Sequence, residues 1–356
     1  MKKFKFIWSI GISFFVFGCS PSEISEEMKI PDVYKDDAIQ EEIQPGSYGL
    51  LALDWVHHIT EYFPLRLSYT YEELAMAEWI IEELIAMGFK DEEVIVTRFS
   101  HPDFNELTWS PFPSYLRVQH LKADGFFEEM TPRSYSQNVS VTLSGKSEKT
   151  IVLGAHYDSF LGQGASDNAS GVALLLETIY RLRDYKPYYT LKFIFFGAEE
   201  VGLVGSLYFL SNLTQEERER IVFMINMDVL FDGDDLVVST GYVYSLSWDR
   251  TIRENEKTRR VGEVVLELNE NYGLELLLAP DLTLVPTDQL SFLSFDMPVA
   301  VIQGIHLEDY PYLFRGDVMN SYRDTIPFLK ENFPGRMERS LEQFSKFLNR
   351  LLVSKH

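Results

Sequence analysis

The sequence predicts an α/β protein built on a mixed, mostly parallel central sheet. Residues 150–155, 191–198 and 222–227 form short runs rich in β-branched and aromatic side chains, and each run is followed by acidic or histidine residues. Runs of this kind are typical of strands buried on both faces, as in parallel sheets. Helical patterns at 169–183 and 205–212 follow two of these runs, and the alternation of strands with helices indicates an α/β architecture.

The other predicted elements extend this alternation toward both ends of the chain. Residues 72–88 form an amphipathic helix pattern, and Gly88 supplies the usual C-terminal stop. Apolar or alternating segments predict further strands, and charged amphipathic segments predict further helices. The strands are expected at 94–99, 137–144 and 298–303, and the helices at 250–271 and 338–353.

The N-terminal residues have the pattern of a secretion signal. A basic start, Met1-Lys-Lys-Phe-Lys, precedes the apolar stretch 6–17, which is too short to span a membrane comfortably. Cys19 follows Gly18, an arrangement that resembles bacterial lipoprotein signals in which the cysteine is acylated. We therefore expect residues 1–19 to be a lipoprotein signal peptide and the lipidated Cys19 to anchor the protein to a membrane of the cell envelope.

The residue after the cysteine bears on which membrane is used. Ser20 rather than aspartate follows Cys19, and by resemblance to lipoproteins of bacteria with two membranes this favours an outer-membrane or periplasm-facing location. The alternative is an ordinary cleaved signal with an incidental cysteine. Because Cys19 is the only cysteine, the mature chain can form no intramolecular disulfide.

The rest of the chain divides into a tether and one domain. Residues 20–45 are acidic, contain three prolines and have few large apolar side chains, which predicts a flexible tether. Residues 46–356 are expected to form a single domain. Inside it, 229–287 is a long interval, and a structureless connection of that length is unusual. We interpret this interval as a cap or insertion.

The charge balance excludes one class of partner. The chain has 54 acidic and 32 basic residues, a formal net charge of −22. A field of this sign repels nucleic acid, so we expect no nucleic-acid partner. Most of the excess negative charge is expected on solvated surface, with a few carboxylates left to hold a metal.

Histidine and acidic residues stand just beyond the predicted buried strands. The carboxyl ends of parallel strands meet at one edge of a sheet, where ligands bind. Burial of uncompensated carboxylates there is costly, and a bound dication would compensate their charge. Imidazole and carboxylate ligands suit zinc, and also manganese or cobalt. The residues concerned are His156, Asp158, Asp167, Glu199, Glu200 and Asp228.

The spacing of these residues suggests separate roles. Asp167 lies at a predicted helix start and has two oxygens with which to bridge two metal ions. Asp158, two residues after His156, is placed to accept the other ring proton of the imidazole. Glu199 and Glu200 are neighbours whose side chains point in different directions, so that one can bind metal while the other accepts a proton from water.

Four segments resemble one enzyme family. The segments His156-Tyr-Asp158-Ser, Ser166-Asp-Asn-Ala-Ser-Gly-Val172, Phe196-Gly-Ala-Glu-Glu-Val-Gly-Leu-Val-Gly-Ser206 and Asn226-Met-Asp228 look like the zinc-dependent aminopeptidase family. That family contains bacterial leucyl aminopeptidase, aminopeptidase Y and the glutaminyl cyclases. The resemblance covers roughly residues 65–350. It implies a three-layer α/β/α sandwich of the phosphorylase/hydrolase type with a pair of catalytic zinc ions.

The resemblance also implies a role for each matched residue. His156 and Asp228 would hold one metal, and Asp167 would bridge the two metals. Glu200 would hold the other metal. Glu199 would be the general base that takes a proton from water and passes it to the leaving amine.

One position departs from the family pattern. The last family ligand is a histidine, and the matching segment here, 320–325, begins with Asn320, a weak or substituted ligand. The second metal is therefore expected to bind more loosely than the first. His306 has two possible roles, as a replacement ligand or substrate contact and as an ordinary loop histidine. Asp288 is expected to orient the floor of the site.

Three functions remain open from the sequence. The resemblance favours a metal-dependent exopeptidase, an aminopeptidase that removes N-terminal residues from peptides with one or two zinc ions. The first alternative is a glutaminyl-peptide cyclase. The second is a catalytically silent peptide-binding domain of the same fold. Intact Glu199 argues against the silent domain, because a binding domain has no need of a base beside a ligand.

Overall fold

The described part of the protein contains nine α-helices and ten strands. The computed structural model describes residues 48–100, 133–160, 162–240, 242–243, 252–253, 256–279, 287–307 and 317–353. The helices are α1 Leu50–Tyr62, α2 Tyr71–Ala86, α3 Ser170–Leu182, α4 Val204–Ser211, α5 Gln215–Arg220, α6 Glu256–Tyr272, α7 Gln289–Ser294, α8 Ile326–Asn332 and α9 Arg336–Leu352. The strands are β1 Ile95–Ser100, β2 Tyr135–Leu143, β3 Ser147–His156, β4 Tyr189–Phe196, β5 Ile221–Met227, β6 Asp235–Ser239, β7 Tyr242–Val243, β8 Ile252–Arg253, β9 Leu276–Ala279 and β10 Val299–Ile305.

Eight of the strands form one mixed sheet in the order β1-β2-β4-β3-β5-β10-β6-β9. The four central strands β4, β3, β5 and β10 are parallel to one another. Strand β2 is antiparallel to β4, and β6 is antiparallel to β10. The strands β7 and β8 pair with each other outside this sheet. The predicted mixed, mostly parallel sheet is confirmed.

Helices cover both faces of the sheet. Side chains alternate between the faces of a strand, so neighbouring residues of β3 report on both sides. Ile151 and Leu153 belong to a large buried cluster that includes residues of α3 and α9. Val152 points to a second cluster, which contains Leu210 of α4 and Phe292 of α7. The result is the expected three-layer α/β/α sandwich.

The interval 229–287 differs from its prediction. Strand β6 pairs with β10, and β9 pairs with β6, so both strands extend the edge of the central sheet. Val264 and Leu268 of α6 are fully buried in the large core cluster. These parts of the interval therefore belong to the sandwich rather than to a separate cap, and the assignment of the interval as an insertion stays a prediction. Strands of only five and four residues give too short an apolar pattern to be recognised alone.

A buried carboxylate ties the first helix to the body of the domain. Glu177 of α3 accepts hydrogen bonds from the backbone amides of Gly49 and Ala52, both at 2.8 Å. Its Oε1 also accepts from the Ser345 hydroxyl of α9 at 2.6 Å and from Arg181 Nε at 2.7 Å. One fully buried side chain thus joins α1, α3 and α9.

The predicted signal peptide and tether, at 1–19 and 20–45, lie outside the described residues. In the described parts of the chain, no helix combines the length and the apolar character needed to cross a membrane.

Candidate metal centre

Three neighbouring parallel strands end at the same edge of the sheet and bring the predicted site residues with them. Strand β3 ends at His156, which is in register with Phe196 at the end of β4. Asp228 directly follows β5, and Glu199 and Glu200 lie in the turn after β4. The parallel register therefore places the motifs side by side, as expected for the functional edge of an α/β sheet.

His156, Asp167 and Asp228 form a compact buried cluster. The Nε2 atom of His156 lies 3.2 Å from Asp167 Oδ1 and 3.2 Å from Asp228 Oδ1. One ligand atom from each residue falls within 4.8 Å of the other two. In the part of the chain that the structure describes, this is the group of histidine and carboxylate side chains that could hold a metal ion.

The second ring nitrogen of His156, Nδ1, contacts Asp158. Nδ1 lies 3.2 Å from the backbone oxygen of Asp158 and 3.5 Å from its Oδ1. Because a carbonyl oxygen can only accept, a proton on Nδ1 fits this contact and leaves the Nε2 lone pair of the neutral ring facing the two aspartates. This is the usual support of a metal-binding histidine.

The carboxylate of Asp158 has further partners. Its Oδ1 accepts from the backbone amide of Glu199 at 3.1 Å, and its Oδ2 accepts from that of Glu200 at 3.1 Å. The Ser68 hydroxyl donates to Oδ2 at 2.6 Å. Asp158 therefore connects the turn that carries the two glutamates to the strand end that carries His156.

The segment that carries Asp167 is a short π-type turn, Ala165–Ala169, in which the Asp167–Asn168 peptide bond is cis. The Asn168 side chain donates to the backbone oxygen of Met227 at 2.9 Å. The carboxylate of Asp324 accepts from the amides of Ser166 and Asp167. Contacts from two sides thus fix this segment beside the end of β5.

The site concentrates buried negative charge. Burial raises the pKa of the Glu199 carboxyl well above its ordinary value, with His156 opposing and Glu200 adding to the rise. Burial likewise raises the pKa of Asp228 and brings the pKa of Asp288 to about 7. Burial disfavours the charged form of each carboxyl, so a proton or a bound cation would relieve the cost of this cluster.

The surrounding carboxylates also change the pKa of His156. Burial alone would lower the pKa of His156, but the carboxylates of Asp228 and Glu199 raise it well above its ordinary value. Asp288 lies under the site, fully buried. Neither of its carboxylate oxygens makes a well-formed hydrogen bond with a described residue, although His156 and the Ser206 hydroxyl lower its pKa. Its predicted role, the orientation of the site floor, stays a prediction.

Asn320 lies outside the compact cluster. It is exposed and has a left-handed backbone, with φ of 53°. The loop that carries it is fixed by Asp232, whose Oδ1 accepts from the amides of Val318 and Met319, both at 2.7 Å. The loop is also joined to the Asp167 segment through Asp324. The structure therefore holds the Asn320 loop next to the site, and ligation by Asn320 stays a prediction.

His306 is occupied elsewhere. Its Nε2 lies 2.9 Å from Asp317 Oδ2, and the same oxygen accepts from Arg336 Nη1 at 2.8 Å. Among the described side chains, His306 is not a member of the group that could hold a metal. These contacts favour an ordinary loop histidine over a replacement ligand.

Arg66 is a functional candidate that the sequence interpretation missed. The side chain is fully buried, and burial lowers its pKa to about 10. It donates to the backbone oxygens of Tyr157, Gln163 and Gly164 at 2.9, 2.7 and 3.2 Å. Arg66 thereby fixes the loop between His156 and Asp167. A lone arginine before a helix has no motif spacing that could have drawn attention to it.

The fold and the cluster define an α/β protein with a carboxylate-rich metal centre at the ends of its parallel strands. The sequence profile of peptidase family M28 matches residues 138–326, more than half of the chain. The chain belongs to peptidase family M28. The family resemblance of the four motif segments is thereby confirmed.

Individual relatives are similar over shorter stretches. An aminopeptidase of Pseudomonas aeruginosa is 34% identical over 163 residues, which cover 43% of this chain and 29% of that protein. The match therefore spans less than a third of that relative's length.

Solved structures share the fold. BSAP, a zinc aminopeptidase from Bacillus subtilis, superposes with a TM-score of 0.62 at 16% identity, covering 85% of this chain and 94% of that one. A glutaminyl cyclase from Bacteroides thetaiotaomicron gives a TM-score of 0.59 at 17% identity, covering 88% and 99%. At these identities the likeness is one of fold, and it does not separate the two activities.

Proposed function

We propose that the protein is a metal-dependent aminopeptidase that hydrolyses the N-terminal peptide bond of peptides. The observation that carries the proposal is the buried cluster of His156, Asp167 and Asp228 at the ends of adjacent parallel strands, in a member of a peptidase family. Two relatives in sequence or fold are named as aminopeptidases, and one of them is named as a zinc enzyme.

The residues fit a zinc ion. One imidazole nitrogen and two carboxylate oxygens converge in a buried site, and both are donor types that zinc accepts. The surplus of buried carboxylates over cations, visible in the raised pKa of Glu199 and Asp228, would be relieved by a dication. His156 and Asp228 would hold the first ion, Asp167 would bridge, and Glu200 with Asn320 would hold a second, looser ion.

Glu199 is proposed to move the proton. When bound, zinc supplies Lewis acidity, which makes water more acidic and a peptide carbonyl more electrophilic. A carboxylate oxygen of Glu199 takes one proton from the attacking water, and the water oxygen forms a bond to the carbonyl carbon. Glu199 then gives the proton to the amine nitrogen as the carbon–nitrogen bond breaks.

We propose that Asp158 fixes the position of His156 relative to the turn that carries Glu199 and Glu200. Its backbone oxygen faces His156 Nδ1, while its carboxylate holds the amides of Glu199 and Glu200. A shift of this one residue would therefore move both a ligand and the base. Partners of this kind change metal affinity or activity by about 10–100-fold when removed.

We also propose that lipidated Cys19 anchors the protein to a membrane of the cell envelope, in an outer-membrane or periplasm-facing location. The proposal is supported by the signal-like residues 1–19 and by the acidic tether 20–45. Substrates would then be peptides present in that compartment.

The test of the enzymatic proposal is hydrolysis of peptide amides by the zinc-loaded protein. We expect free N-terminal amino acids from the parent, and a loss of about 10²–10⁴-fold in kcat for Glu199→Gln with zinc content retained. Glu219→Gln, on the exposed surface of α5, is the matched control and should keep full activity. Undiminished hydrolysis by Glu199→Gln would remove Glu199 from the mechanism.

The same assay separates the two alternatives. A peptide that begins with glutamine would lose ammonia without becoming shorter if the protein were a cyclase. Tight zinc binding with neither reaction would indicate a silent peptide-binding domain. Shortening of the peptide by one residue at a time supports the aminopeptidase.

A further inference from the structure

The turn that carries Glu199 and Glu200 is held at four consecutive backbone amides. The amide of Gly197 donates to Asn138 Oδ1 at 3.2 Å, and the amide of Ala198 donates to Glu73 Oε1 at 3.0 Å. The next two amides donate to the carboxylate of Asp158. Each acceptor is a buried side chain from another part of the chain.

The backbone of this turn needs such support. Ala198 has φ of 55°, in the left-handed region that is unfavourable for a residue with a Cβ atom. Conformations of this kind persist where the surrounding structure determines them, and they gather at functional sites. Ala198 directly precedes the proposed base, so the side chain that accepts from the Ala198 amide influences the position of the Glu199 backbone.

That partner, Glu73 in the first turn of α2, is fully buried. Its Oε1 accepts from the Ser136 hydroxyl at 2.6 Å as well as from Ala198, and its Oε2 accepts from the Tyr69 amide at 2.7 Å. Burial, and then the nearby charge of Asp158, raise the pKa of Glu73 to about 8. Two carboxyl groups thus stand close together beneath one turn.

We propose that Glu73 is a positioning residue of the metal centre, which sets the placement of Glu199 and Glu200 through the amide of Ala198. The role rests on the proposed metal-dependent peptidase function. It depends on the reach of the side chain, because Oε1 must meet the Ala198 amide. It depends less on the charge of the carboxylate, because Oε2 accepts from the Tyr69 amide and not from the turn that carries Glu199.

Two substitutions separate reach from charge. Glu73→Asp keeps the carboxylate but withdraws it by one methylene from the Ala198 amide. Glu73→Gln keeps the length, and its amide oxygen can take the Oε1 position, where two donors converge. Its nitrogen then faces the Tyr69 amide, which loses its acceptor. Glu177→Asp is the matched control, because Glu177 is equally buried and also accepts from two backbone amides and one serine hydroxyl, away from the site.

The experiment measures backbone hydrogen exchange of residues 197–200, zinc affinity by chelator competition, and kcat and KM for a peptide amide. For Glu73→Asp we expect faster exchange in the turn and a loss of about 10–100-fold in zinc affinity or kcat, with KM little changed. Glu73→Gln should restore most of the loss in turn exchange and zinc affinity, but its Tm should fall because the Tyr69 amide has lost its acceptor. Glu177→Asp should lower Tm but leave turn exchange and zinc affinity at the parent values.

Two results would overturn the proposal. In the first, Glu73→Asp and Glu177→Asp have the same turn exchange and zinc affinity, which would make Glu73 an ordinary stabilising residue. In the second, Glu73→Gln raises turn exchange and lowers zinc affinity as much as Glu73→Asp, although it keeps an acceptor at the Oε1 position, which would rule out the reach of Oε1 as the cause. If the parent hydrolyses no peptide, the enzymatic proposal fails on its own, while exchange and zinc affinity still decide the role of Glu73.

Discussion

Asp324 accepts the backbone amide hydrogen of Asp167 at 2.9 Å, although the two residues are 157 positions apart. Its other oxygen accepts from Ser166 at 2.6 Å. The loop that carries Asn320 and the turn that carries the proposed bridging ligand are therefore one unit. Asp324 belongs to the same six-residue segment as Asn320, so a single stretch of sequence supplies both a proposed ligand and the support of another.

Asp324→Asn is expected to weaken metal binding. An amide side chain offers one acceptor oxygen in place of two, so either Ser166 or Asp167 loses its partner. We expect zinc affinity to fall by about 10–100-fold, measured by competition with a chelator. Asp232→Asn is the comparison, because Asp232 likewise accepts two consecutive amides but holds only the loop before Asn320. Equal zinc affinity in the parent and in Asp324→Asn would contradict the argument.

Metal removal is expected to destabilise the fold. A ligand that binds only the folded state at 100 times its Kd contributes about 2.7 kcal/mol to the free energy of unfolding. Dialysis against a chelator should therefore lower Tm by several degrees, and added zinc should restore it, as measured by calorimetry. In His156→Gln the shift with zinc should disappear. A parent Tm that does not respond to zinc would argue against a metal at this cluster.

Asn320→His is expected to tighten the looser metal. The left-handed backbone at position 320 tolerates histidine better than most residues, so the substitution should cost little stability. Imidazole is a better zinc donor than an amide oxygen, and we expect the looser site to gain tenfold or more in affinity in a zinc titration.

The control for that titration is His306→Ala. Because His306 pairs with Asp317, its removal should leave both metal affinities unchanged. A drop in metal occupancy in His306→Ala would show instead that His306 completes the ligand set. Two metals of equal, high affinity in the parent would remove the reason to regard Asn320 as a weak ligand.

Cys19→Ser is expected to move the protein from the membrane fraction to the soluble fraction without a change in peptidase activity. Acyl chains hold a protein at a membrane through their buried methylenes, and the substitution removes their point of attachment. Fractionation with immunoblotting measures the distribution. Retention of Cys19→Ser in the membrane would mean that another feature anchors the chain.

The sequence predicted the proposed metal ligands at the edge of the sheet better than it predicted the buried residues that support them. His156, Asp167 and Asp228 come together because parallel strand ends and the turns beside them meet at one edge, a relationship that apolar runs reveal. Glu73 could not be recognised in this way. It stands three residues after Thr70, whose hydroxyl accepts its amide, so a helix cap explains the pattern locally.

Arg66 illustrates the same limit from another side. Its donors meet backbone oxygens, which every residue has, so no matching side-chain type elsewhere in the sequence indicates the contact. The strands β6 and β9 were missed for a different reason. Each is short, and its place is decided by pairing with a distant strand rather than by its own pattern.

The residues that steady the centre lie on both sides of a boundary in the sequence. Every proposed ligand and the base fall within 138–326, whereas Arg66, Ser68 and Glu73 precede that region. Exchange of the region 138–326 between two relatives would therefore transfer the proposed ligands and the base without the residues that support them. Such chimeras should bind metal poorly unless residues 66–73 are exchanged together with 138–326. The sequence needed for a working metal centre is therefore longer than the region that matches the family.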